Sequence, residues 1–382
     1  MMRGSGALAA CAVLVPEAVL AQEEPTNVIE FGASYITDII GNVDGGEKKG
    51  FVWLGRADLT MSVDGSAFGW DGAELFVDVL AVQHPDFSGR YVGDAQTVSN
   101  VQGESSVRPI EAWIAGPLGG GVSAKVGMID LNSEFDVQSV GKHFIGSSHG
   151  IGPDFSQSGA NGPSIFPAGA TAVMLHYEDE DWALRFGLFD AVAGSKRNPR
   201  RAAFRIPGDT GALLVGEVDR KLVGGGEVQL GAWHYTPRFE RLDPARAGKG
   251  VSQGAYAMIE GPVARRAGRQ LDAWLRLGVA SSAVNEIGTY VGGGVAYGND
   301  NARMGLAVAH ARRGAPARRA AAASGDESDR AETAIELTYA YRLTPWLTLQ
   351  PDFQYVINPG WDPGRRNAAV AGIRFSFAWP AD

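Results

Sequence analysis

The chain has 382 residues, 45% of them hydrophobic and 20% charged, with 52 glycines and one cysteine, the size of one large β-domain or two ordinary domains. A formal net charge of -9 and a pI near 5.3 argue against a nucleic-acid-binding surface. Mean hydropathy is -0.08 and no run of about 20 apolar residues follows the N-terminus, which excludes a helical membrane protein but not a β-barrel, where only alternate residues face lipid.

Residues 1 to 21 read as a signal peptide and residues 22 to 382 as the mature domain. Arg3 supplies a positive start, Ala7 to Val15 an apolar stretch, and Val19-Leu20-Ala21 small residues before a cut at Gln22. Leu8-Ala9-Ala10-Cys11 is similar to a lipobox, but the apolar run ahead of Cys11 is shorter than the usual 7 to about 15 residues. Cleavage after Ala21 removes that single cysteine, so the mature chain carries neither disulfide nor cysteine-based zinc site.

From Asn27 onward about sixteen segments alternate apolar and polar. They lie near 27 to 38, 51 to 63, 70 to 83, 107 to 115, 121 to 130, 171 to 178, 181 to 190, 213 to 221, 226 to 236, 252 to 260, 269 to 280, 287 to 298, 301 to 312, 332 to 343, 346 to 357 and 367 to 379. Period-2 alternation puts successive side chains on opposite faces of a strand. Trp53, Leu59, Met61 and Val63 make one apolar row, with Arg56 and Asp58 opposite; Leu271, Ala273, Leu275, Leu277 and Val279 make another, with Asp272 and Arg276 opposite. A soluble sandwich would turn the apolar rows inward and hold few glycine-lined polar rows. Aromatics gather at segment ends (Phe51, Trp53, Trp70, Trp182, Trp346, Tyr355, Trp379), as interfacial girdles require. Short connections such as 298 to 300 and 344 to 345 alternate with long ones such as 84 to 106, 131 to 170 and 313 to 331. The fold class is therefore all-β, a transmembrane antiparallel β-barrel of about sixteen strands with short periplasmic turns and long extracellular loops.

The longest connection, about Leu131 to Ala170, is polar, glycine-rich and stiffened by three prolines. A loop of this length is functional or disordered; it is expected to fold into the lumen, the competing reading being a lid over the surface. Within it Gly146-Ser147-Ser148-His149-Gly150 matches the G-x-S-x-G pattern of serine hydrolases, without the strand before and helix after that such an elbow needs. His84, His143, His176, His234 and His310 show no metal-ligand spacing. No catalytic residue, metal or cofactor is assigned.

At the C-terminal end the alternation is clearest. Ile335, Leu337, Tyr339, Tyr341 and Leu343 oppose Ala334, Glu336, Thr338, Ala340 and Arg342; Leu347, Leu349, Phe353, Tyr355 and Ile357 oppose Thr348, Gln350, Asp352 and Gln354. Here Leu349-Gln350-Pro351-Asp352-Phe353-Gln354-Tyr355, then Asn358-Pro359-Gly360, Asn367-Ala368 and Gly372-Ile373-Arg374-Phe375, resemble the closing strands of the carbohydrate-selective porins of the OprB type. Gly127-Met128-Ile129-Asp130, followed by Phe135 and the Ser/Gly-rich run to Phe166, fits the same family. The resemblance implies an outer-membrane porin for passive diffusion of small hydrophilic solutes, with carbohydrates foremost. It implies outer-membrane lipid, lipopolysaccharide and small sugars as partners, and leaves monomer and homotrimer open. An anion-selective or general porin, and an outer-membrane enzyme, are the alternative functions.

The inward rows hold the candidate channel lining: Arg56, Asp58, Glu74, Arg185, Arg276, Arg303, Glu336, Asp352, Gln354 and Arg374. Carboxylates, guanidiniums and amides are the groups that sugar hydroxyls pair with, and a water-filled channel solvates inward charges. The competing role of each is a structural ion pair. Inward Trp113, Trp274 and Tyr290 offer faces on which pyranose rings stack. Lys196, Arg197, Arg200, Arg201 and Arg205, with Arg238, Arg241 and Arg246, make basic loops that either concentrate anions or bind lipopolysaccharide phosphates at the outer rim; rim binding is favoured because they lie on loops.

Overall fold

The computed structural model describes residues 28–83, 86–194 and 210–380. They form sixteen strands: β1 (Ile29–Asp44), β2 (Gly50–Asp64), β3 (Glu74–Gln83), β4 (Ser106–Gly119), β5 (Val122–Ile129), β6 (Ala170–Glu178), β7 (Trp182–Asp190), β8 (Ala212–Lys221), β9 (Glu227–Glu240), β10 (Lys249–Arg266), β11 (Arg269–Ala280), β12 (Ile287–Gly298), β13 (Ala302–Arg313), β14 (Ala331–Thr344), β15 (Leu347–Ile357) and β16 (Ala368–Trp379). Each pairs antiparallel with its chain neighbours, and β1 closes onto β16 through pairs such as Ala33 with Trp379 and Asp38 with Arg374. Closure leaves no unpaired strand edge, the condition for backbone in a hydrocarbon layer. The expected signal peptide lies outside the described residues.

Every segment read from the alternation holds a strand, and the differences are at the ends. β1 runs to Asp44 because Ile40 and Asn42 continue the inward row. β3 starts later than expected because residues 65–68 form a 3-10 turn capped by Asp64, whose carboxylate accepts the Ser66 N–H at 2.7 Å. β10 overruns its expected end through a bulge at Pro262, preceded by Gly261 at φ 144, a backbone angle glycine adopts freely.

The faces follow the reading of a barrel. Trp53, Leu59, Leu275, Leu277, Val279, Leu337, Tyr339 and Phe353 are exposed on the outer wall, while Asp58, Asp272, Arg276, Glu336, Asp352 and Gln354 are buried inside. The apolar rows face outward, so the sandwich alternative fails. Phe31, Trp70, Trp182, Trp346 and Trp379 ring the end that carries the short turns, and Phe51, Trp53 and Tyr355 face outward nearer the other end.

Connections 65–73, 120–121, 179–181, 222–226, 267–268, 299–301 and 345–346 share one end with both chain termini. The opposite end carries 84–105, 130–169, 191–211 and 314–330. Two of these long connections turn into the barrel. Phe87, Val92, Val98 and Val101 pack on Ile40, Leu54, Val356 and Val370. Phe135 and Phe155 pack among Phe189, Leu213, Trp233 and Tyr235, and Phe144 packs on Trp274 and Met258. Each fully buried apolar side chain of this size contributes roughly 1.5–3 kcal/mol, so the loop is held as a second layer inside the wall.

Candidate functional site in the barrel interior

Where loop meets wall, inward carboxylates accept loop amides. Glu217 of β8 accepts the N–H of Asp136 at 2.9 Å; Glu260 of β10 accepts those of Ser139 and Val140 at 3.0 and 2.9 Å. On β14, Glu336 accepts Ile145 and Gly146 at 2.6 and 2.9 Å, and Glu332 accepts Ala95 and Gln96 at 2.8 and 3.1 Å. A buried N–H without an acceptor is costly, and these four glutamates satisfy the loop backbone from the wall. Sequence periodicity puts such residues on the inward face, but nothing local names their partners.

Four of the ten candidate lining residues, Arg276, Glu336, Gln354 and Arg374, are held by loops, and Asp352 is buried against Gln354 of its own strand, a correction to the channel lining read from alternation alone. Arg276, 0% exposed, is held by Asp136 and Asp154 of the long loop. Glu336 and Gln354, each 1% exposed, hold loop backbone, Gln354 donating to the Val98 carbonyl at 2.8 Å. Asp352 accepts from Gln354 at 2.9 Å, and Arg374 donates to both Asp38 oxygens at 2.7 and 2.8 Å and to Asn100 at 2.8 Å. The physical reason is the same for the four held by loops: period 2 fixes the side a residue faces, while burial is set by the loop that arrives there.

Arg56, Glu74, Arg185 and Arg303 keep part of their surface open to the interior, with Asp58 against Arg56. The Arg56 side chain is 20% exposed, 2.7 Å from Asp58 Oδ1, with its guanidinium 4.8 Å from the Phe166 ring centre. Arg185, 21% exposed, binds Glu217 at 3.1 Å and also Asp219; Arg303, 22% exposed, pairs with Asp272. Glu74 has no ion-pair partner among the described residues, and it lines a cavity of about 550 Å³ beneath the long loop, as Arg185 does.

The aromatic expectation is also corrected. Trp274 packs against Phe144 and His149 and donates to Gln138 at 3.2 Å; the Tyr290 hydroxyl donates to the Ser148 carbonyl at 2.7 Å. Trp113 is covered by Phe76 and by Lys125, whose ammonium sits 3.8 Å from the ring. The long loop and neighbouring side chains occupy the faces a sugar would use. Ser148 directs its hydroxyl to the Gln96 carbonyl at 3.4 Å and not to a histidine, and burial pushes the neighbouring His149 imidazole down to about 3, so it is neutral 3.5 Å from Glu336. Arg238, Arg241 and Arg246 are exposed at the long-loop end, while Lys196, Arg197, Arg200, Arg201 and Arg205 lie outside the described residues.

A closed sixteen-stranded barrel with its longest loop folded inside is the geometry of a porin. The profile of the carbohydrate-selective porin, OprB family, matches residues 48–379. The chain belongs to this family. The porin is 23% identical to Porin B of Pseudomonas aeruginosa, over 90% of this chain and 86% of that one. Its fold matches the high-pH structure of Pseudomonas putida OprB at 20% identity with a TM-score of 0.81, over 92% of this chain and 94% of that one. The outer membrane channel DcaP of Acinetobacter baumannii shares the fold at 9% identity with a TM-score of 0.55, over 92% and 97% of the two chains. This chain is thus an outer-membrane channel of the carbohydrate-selective porins and not an enzyme.

Proposed function

We propose that the porin passes small neutral sugars down their gradient along the part of the lumen that the loops leave open, with Arg56, Arg303, Arg185 and Glu74 as the polar contacts. The observation that carries this reading is the partial exposure of three wall arginines, each already neutralised by a carboxylate. A neutralised guanidinium still has N–H donors to offer a hydroxyl, and a hydrogen bond to a charged group contributes about 1.5–3 kcal/mol. An anion-selective channel calls for unpaired wall cations; the pairing of Arg56, Arg185 and Arg303 favours uncharged solutes.

Liposome swelling with a panel of sugars and amino acids tests the reading. Glucose is expected to enter faster than an amino acid of similar size, and Arg56→Ala or Arg303→Ala is expected to weaken sugar-induced block of single-channel current. Equal rates for both solute classes, together with unchanged block in both variants, would refute it. At the outer rim, the exposed Arg238 at the end of β9 and Arg241 and Arg246 after it are proposed contacts for lipopolysaccharide phosphates, since charges in open solvent are screened over roughly 8 Å and act on bound lipid more than on a solute in the lumen.

A further inference from the structure

The cavity beneath the long loop supplies Arg185 and Glu74 to the neutral-sugar reading, but its surplus of carboxylates is more than that reading needs. It is walled by β3 to β9 and capped by loop residues Ser133 to Ser139, and it extends to the short turns at Gly72 and Gly121. Six carboxylates line it against three cations. The three cations are all engaged: Lys125 with Glu134 and the Trp113 ring, Arg185 with Glu217 and Asp219, and Lys221 with Glu178 at 2.7 Å.

The acceptors are in surplus. Glu74 has no ion-pair partner among the described residues. Asp219 and Gln229, 2% and 4% exposed, line the same cavity, and Asp219 Oδ1 and Gln229 Oε1 have no hydrogen-bond partner among the described residues. Gln229 is oriented by its amide nitrogen, which donates to the Val137 carbonyl and to Glu227, each at 3.2 Å, leaving its oxygen to accept. A buried acceptor without a donor is costly, and a wall of acceptors facing a net negative field calls for a solute that brings N–H and O–H donors and a positive charge.

We propose that this periplasmic vestibule is a selectivity station for protonated amino sugars, with Glu74, Asp219 and Gln229 receiving the ammonium and ring hydroxyls. An ammonium has three donors and no acceptor. A sugar phosphate or sugar acid brings the wrong charge and is disfavoured at the same place. The proposal rests on the reading of the chain as a sugar porin and adds to it a preference for charge type.

The test is block of single-channel current by solutes added at the short-turn end of the channel in a planar bilayer, at pH 7, where most of the glucosamine carries its proton. Glucosamine, N-acetylglucosamine and glucose 6-phosphate share a ring and differ in charge. Glucosamine is expected to block at a concentration roughly tenfold lower than N-acetylglucosamine, the ratio one charge-assisted hydrogen bond supplies, and glucose 6-phosphate least well. Glu74→Gln is expected to close most of that gap and Glu74→Lys to reverse the order, with heat-modifiable migration on gels checking that each variant is folded. Equal block by glucosamine and N-acetylglucosamine, or a gap untouched in both folded variants, overturns the vestibule proposal while glucose-driven liposome swelling stands. Failure of glucose to permeate the unmodified porin would overturn the sugar-porin reading itself and this proposal with it.

Discussion

Arg276 of β11 and Asp136 of the long loop form a two-pronged ion pair inside the barrel, Nε to Oδ1 and Nη2 to Oδ2 both at 2.7 Å, with neither side chain exposed. Asp154 completes the clamp at 2.6 Å from Nη1, and Tyr256 and Tyr290 flank the guanidinium with ring centres 5.1 and 5.4 Å away. One guanidinium thus ties two points of one loop to the wall.

Removing that cation leaves two carboxylates buried without a counter-charge, a change that costs about 3–5 kcal/mol. Arg276→Ala is therefore expected to loosen the loop, seen as higher and noisier single-channel conductance and as new protease cleavage between residues 131 and 169. A variant that conducts and resists protease like the unmodified chain would show that apolar packing alone holds the loop.

Deleting Ser147 to Gly162 removes Asp154 and also Phe155, whose ring stacks on Trp233 at 5.1 Å. A deletion that folds is expected to conduct more than the full chain, because it empties lumen that the loop fills. Unchanged conductance would mean that this segment lies off the ion path.

The two ends of the barrel can be assigned by labelling. A tag placed near Glu327, exposed in the 314–330 connection, should react on intact cells, whereas one near Asp179, exposed in the 179–181 turn, should react only after the outer membrane is breached. The opposite pattern would invert the barrel.

Acid should weaken the loop through His149. Burial between Phe144 and Trp274 lowers its folded pKa to about 3, below the 6.5 of an exposed imidazole. A histidine whose folded pKa is depressed binds a proton more readily once released, so the packed loop is most stable above pH 6.5 and loses stability as pH falls from there toward 3. Conductance noise is expected to rise across that window in the unmodified porin and to rise less in His149→Gln. Identical acid responses of the two would locate the sensitivity in other groups.

Strand number, strand faces and the family were legible because they rest on local information. Period-2 alternation needs only neighbouring residues, and the Gln350-Pro351-Asp352-Phe353 stretch with its spaced companions needs only one hairpin. The long loop could be found by its length and composition, and its inward course was a reasonable expectation from them. Which wall residues it covers was not legible. Arg276 and Asp136 are 140 positions apart, and Glu336 and Ile145 are 191 apart, so no spacing rule links them. Alternation alone places Arg276 and Arg56 alike on the inward face; the loop then buries the first and leaves the second partly open. The wall and the side each residue faces could be read from the chain alone, because the pleat and the lipid act on every strand locally. Which inward charges stay open to the interior and which pin a loop follows from where forty residues, 130–169, settle inside a closed barrel.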